Sequence, residues 1–134
     1  MPSLVITLEV AAVAALINIW LGMRCGKARM AGKVLHGDGG DPMLIRRMRG
    51  QANFIENAPI FLILLGLVEY TLGSSYWLWF IGVIFLIARI LHPIGLDKDG
   101  ANLMRGAGTL LSMLTILILA IVALLAAFGL IKPI

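Results

Sequence analysis

Residues 110–130 form a run of twenty-one positions without one charged side chain. A hydrocarbon core of roughly 30 Å is crossed by about 20 predominantly apolar residues in a helix, so this run reads as a membrane span. The composition agrees: hydrophobic residues make up 60% of the 134-residue chain and charged residues 13%, and the mean hydropathy is +0.99. Such a chain has room for one domain and is far from the soluble average. Three more apolar stretches accompany the first. The spans are expected at about residues 4–23, 43–70, 76–92 and 104–130, giving an all-α integral membrane protein built as a four-helix bundle.

The second span departs from plain apolar sequence. PMLIRRMRGQANFIENAPIFLILLGLVEY joins a charged half to an apolar half with no loop signal between them. Asp41 and Pro42 supply an N-cap and a first-turn proline, which fixes where this helix begins. At about 100° per residue, Arg46, Asn53, Glu56 and Asn57 fall within about 80° of Arg49, while Arg47 and Gln51 point the opposite way. Only the eleven residues 58–68 are uniformly apolar or Gly. They are too few to span, so the polar half continues partly into the membrane. A charge at the bilayer centre costs about 2.5 to 3.5 kcal/mol on insertion scales, so this stripe should face protein, water or a polar ligand. Pro59, inside the helix, frees the carbonyl of Ile55 and predicts a kink.

The remaining polar residues sort by position. Arg24 reads as the stop of the first span, and residues 24–41 as a basic loop with a glycine turn. Glu9 and Asn18 are expected to bond neighbouring helices. Too little precedes the first apolar run for a cleaved signal peptide, so it is expected to be retained. Tyr76, Trp77 and Trp79 form an aromatic belt at the start of the third span; Arg89 snorkels near its end, and His92-Pro93 closes it. Of eleven Lys and Arg residues only Lys132 lies beyond the last span. The other ten are in or beside the first and third loops, which places both loops in the cytoplasm and both termini on the opposite side of an inner or plasma membrane. This rule also explains the net charge of +4, with no nucleic-acid partner expected. The single Cys25 excludes an internal disulfide, the histidines lack ligand spacing, and the glycine run lacks GK[ST], so neither a metal site nor a phosphate loop is predicted.

Arg29, His92 and Arg105 reach the same membrane face as Arg49, Asn53 and Glu56, which implies a charged pocket on the cytoplasmic side. Two segments, RGQANFIENAPIF from Arg49 to Phe61 and ARILHPIGLDKDGANLMR with His92 thirteen residues before Arg105, together with four spans and this length, resemble the MAPEG family, the membrane-associated proteins in eicosanoid and glutathione metabolism. The resemblance covers essentially the whole chain. It implies a homotrimer that binds glutathione between neighbouring subunits and takes a hydrophobic small molecule or lipid from the bilayer. Residue by residue, Arg49, Asn53 and Glu56 look like glutathione contacts from the second helix, and Gln51 and Arg29 like contacts from the adjacent subunit. His92 stands where the family has His or Tyr, and Arg105 matches the arginine that stabilises the thiolate. Asn57, Leu96 and Gly106 depart from patterns seen in relatives.

These residue types suit that chemistry. Arginines match the carboxylates of glutathione, Glu56 its ammonium and Asn53 its peptide groups. Lowering a thiol pKa of about 8.5 by about two units needs roughly 2.7 kcal/mol of preference for the thiolate, within reach of one arginine in a partly desolvated pocket. The expected function is therefore a membrane-bound, detoxifying glutathione transferase, or a peroxidase acting on lipid hydroperoxides. The alternative is a non-catalytic lipid-binding protein similar to the lipoxygenase-activating branch of the family, against which Arg49 together with Arg105 argues.

Overall fold

The computed structural model describes residues 3–133 and consists of four helices in chain order: α1 Val5–Gly32, α2 Pro42–Leu72, α3 Tyr76–Leu96 and α4 Leu103–Ala127. All four are long and apolar enough to cross a membrane. Their common core is made by Val10, Ile17 and Leu21 of α1, Phe54, Phe61 and Leu65 of α2, Leu78 and Phe85 of α3, and Leu119 of α4. At its centre the rings of Phe61 and Phe85 stack 3.7 Å apart at 3°. Many other large apolar side chains point outward, as lipid-facing positions require; Leu8, Leu67, Phe80 and Leu117 are examples.

Helix boundaries follow local chemistry, with two corrections to the sequence reading. Asp41 caps α2 as expected, its Oδ1 accepting from the amides of Met43 and Leu44 at 3.0 Å each. α1, however, does not end at Arg24. It continues past Gly26 through Lys27, Ala28, Arg29, Met30 and Ala31, which favour helix, until Lys33 turns left-handed at φ 54°, with Val34 N–H donating back to the Arg29 carbonyl. The first half of the expected basic loop is thus helix, and Arg24 is held against the Trp20 ring at 4.7 Å and by an ion pair to Asp97. α3 likewise passes through His92-Pro93 to Leu96, while α2 runs through Pro59 as one helix, as expected. Glu9 and Asn18 are exposed and make no side-chain hydrogen bond among the described residues, contrary to the helix bonds expected of them.

Glycines bring the helices to one level near the loop-rich end. A Cβ at Gly50 would sit 3.2 Å from Pro93, one at Gly95 2.3 Å from the Arg105 amide, and one at Gly108 2.7 Å from the backbone of His92. These close approaches set Arg49, His92 and Arg105 in the same layer. The layer is closed by Asp97, which pairs with Arg24 and lies 3.7 Å from Arg47, and by Arg46, which donates to the Asp97 carbonyl at 2.9 Å and pairs with Asp99.

At the other end Glu69 is 0% exposed and accepts from Ile6 N–H at 2.9 Å, Thr7 N–H at 2.7 Å, the Thr7 hydroxyl at 2.6 Å and the Ser74 hydroxyl at 2.6 Å. Leu4 gives α1 no side-chain cap. A carboxylate from α2 therefore caps α1, where its charge also complements the helix dipole.

Candidate functional site

α2 presents Arg49 and Glu56 on one outward face, two turns apart. Their side chains are 64% and 56% exposed, and Arg49 Nη1 lies 3.9 Å from Glu56 Oε1. Neither is covered by another helix of the same chain. Two opposite charges this open on a membrane-spanning helix need a polar or protein cover from outside the protomer.

Arg105 occupies the first turn of α4. Asn102 accepts the Arg105 amide at 3.0 Å and donates from its own amide to the Gly95 carbonyl at 2.7 Å, which locks the α3–α4 junction beneath it. The Arg105 guanidinium itself has no hydrogen bond or ion pair among the described residues, and its side chain lines a cavity of 350 Å³ with Asn102, Thr109 and Met113. A cation at the positive end of a helix dipole, with no carboxylate beside it, favours an anion as its partner.

The other sequence candidates are placed differently. Asn53 turns inward, where its Oδ1 accepts from Arg89 Nη1 at 2.7 Å and its carbonyl accepts from the Asn57 amide at 2.8 Å. Gln51 faces α1, its Oε1 3.5 Å from the Cys25 sulfur, on the side of α2 opposite Arg49 and Glu56. Arg29 reaches the loop after α1, donating to the Gly37 carbonyl at 2.6 Å and lying 3.8 Å from the Met48 sulfur. His92 is buried in the α3–α4 contact, with Nδ1 unpartnered among the described residues. Within one protomer, then, Arg49 and Glu56 are together, Arg105 and His92 share their layer, and Gln51 and Arg29 lie on other faces.

Arg89 is the residue the sequence reading misplaced. Expected to snorkel, it is instead 2% exposed, bonding Asn53 and the Gly108 carbonyl at 3.2 Å, with its guanidinium 5.8 Å from the Phe85 ring centre. It has no carboxylate partner among the described residues. The signal was present: a charge two turns inside an apolar helix is a functional candidate by default.

No curated protein matches the chain. A family model described as MAPEG family matches residues 7–125. The motif around Arg49, the four spans and this match agree, and the chain is an integral membrane protein that belongs to the MAPEG family.

Proposed function

We propose that the protein is a glutathione-dependent transferase, or peroxidase, that acts on lipophilic electrophiles or lipid hydroperoxides as a homotrimer, with its sites between subunits and facing the cytoplasm. The observation that carries this reading is the outward Arg49–Glu56 pair in the layer of an unpaired Arg105. A zwitterionic tripeptide with a thiol suits that set: Arg49 holds a carboxylate, Glu56 the ammonium, and Arg105 the sulfur once it is ionised. A neighbouring subunit would bring Gln51 and Arg29, which point away from the pair in their own protomer, toward the same site. Family membership supports a role in glutathione or eicosanoid metabolism and an oily second substrate.

The test is Glu56→Gln. Removing the partner of the ligand's ammonium is expected to weaken glutathione binding about tenfold or more, with the oligomer and melting temperature of the solubilised protein little changed. Loss of the oligomer with binding per folded subunit retained would make the pair a structural bridge between helices.

Arg89 takes a positioning role: by occupying Asn53 Oδ1 it leaves the Asn53 amide nitrogen as a donor for the ligand. Arg89→Met fills similar space and removes a buried charge, which offsets part of the cost of leaving Asn53 Oδ1 without its donor. Equilibrium dialysis should show glutathione affinity per folded protein reduced roughly tenfold, with melting lowered by no more than a few degrees. Early melting with full affinity would assign Arg89 to packing alone.

Orientation has its own check, since the Lys and Arg asymmetry favours both termini outside the cytoplasm. Alkaline phosphatase fused after Ile134 should be active; an inactive fusion expressed at full level would invert the site's sidedness.

A further inference from the structure

At the end of the bundle opposite Arg105, a cavity of 730 Å³ opens between the start of α1 and the α2–α3 junction. It has about twice the volume of the cavity beside Arg105. Its lining includes Glu9, Ser74, Ser75, Tyr76, Trp79 and Phe80. The 21 residues of α3 run from this cavity to the Arg105 layer, a separation on the order of 30 Å.

Two carboxylates stand at this end and their surroundings differ. Glu69 is saturated by four donors and holds α1 in place. Glu9 is exposed and takes part in no hydrogen bond or ion pair among the described residues. It lies one turn inside α1, level with the aromatic belt of α3. Ser75, in the same lining, has a hydroxyl oxygen buried without a partner. Around them stand three aromatic side chains, all exposed. An acidic group within an aromatic-lined cavity is matched by a cation with an apolar body, which gains charge pairing and ring-face attraction together. No Lys or Arg lines the cavity. A zwitterionic lipid headgroup would therefore bring a phosphate with no counter-charge, and an anionic amphiphile would meet Glu9 directly.

We infer that this cavity is a second binding site, selective for lipophilic monocations such as aromatic ammonium or phosphonium ions, whose charge pairs with Glu9 and whose rings pack on Tyr76, Trp79 and Phe80. The site is independent of the thiol chemistry at the other face.

Radiolabelled tetraphenylphosphonium, measured by equilibrium dialysis against the full-length protein in lipid nanodiscs, tests this. Binding should saturate at one cation per chain, fall about tenfold or more in Glu9→Gln, and be kept within a few-fold in Glu9→Asp. The doubly substituted Tyr76→Ala, Trp79→Ala protein should also bind weakly, whereas Arg105→Ala should bind as wild type does. Tetraphenylborate, the same shape with the opposite charge, should not compete. Equal competition by tetraphenylborate, or undiminished binding in Glu9→Gln, would reduce the uptake to hydrophobic partitioning and overturn the proposal. So would a cavity that excludes the cation and instead retains phosphatidylethanolamine or a second copy of the chain.

Discussion

Arg105→Ala is expected to lower glutathione conjugation of an activated aryl halide by more than about tenfold at pH 7 while glutathione binding stays within about tenfold. In the proposed site Arg49 and Glu56 would meet the ionic ends of glutathione, which are the same in thiol and thiolate, so they would bind ground state and transition state alike. Arg105 would differ, because its guanidinium has no partner among the described residues and, in the proposed site, would meet a full charge only once the thiol ionises. With Arg105 present the bound thiol is expected to ionise below its ordinary pKa of about 8.5, and without it to return toward that value. The pH–rate profile of single-turnover conjugation should therefore move to alkaline pH. The deficit should be largest near neutrality and close as pH rises past the free-thiol value. Arg105→Lys keeps the charge but not the planar fork, and should fall between. Coincident profiles for all three proteins would remove Arg105 from the chemistry and favour the lipid-binding alternative.

Glu69→Ala should be the most damaging single change to stability. It leaves two amides in the first turn of α1 and two hydroxyls without their acceptor. Each stranded buried donor costs about 1–3 kcal/mol, and lipid offers no replacement. A loss of about 3 kcal/mol or more, equivalent to a melting shift of roughly 10 °C, is expected in detergent. Glu69→Gln keeps one acceptor oxygen but turns an amide toward other donors, so it should lose less. Thr7→Ala, which removes one of the hydroxyl bonds, should lose least. A Glu69→Ala protein melting within about 2 °C of wild type would mean that water reaches this end of α1 and caps it instead.

The contrast between Glu69 and α4 shows which features a single sequence can reveal. The α4 span is a local property, written in consecutive apolar residues, and so is the Asp41-Pro42 start of α2. The roles of Glu69 and Arg89 depend on partners 62 and 36 positions away, and no spacing rule links them. The end of α1 failed for a different reason. Arg24, Lys27 and Arg29 look like a stop when membrane depth is judged from charge alone, but charge does not break a helix, and Asp97 on another loop neutralises Arg24. The candidate site was legible as a stripe on α2, because Arg49 and Glu56 recur on one face of a 3.6-residue period. The inward turn of Asn53 was not, since only the hidden Arg89 explains it.

On the proposed function, this protein binds glutathione and ionises it. Purified protein titrated with glutathione near pH 7, followed by the ultraviolet absorbance of the thiolate, tests it most directly. Wild type is expected to give a band that rises saturably with bound ligand, and Arg105→Ala to lose that band at matched occupancy. Glutathione bound by wild-type protein with no thiolate absorbance, or no saturable binding at all, would contradict it.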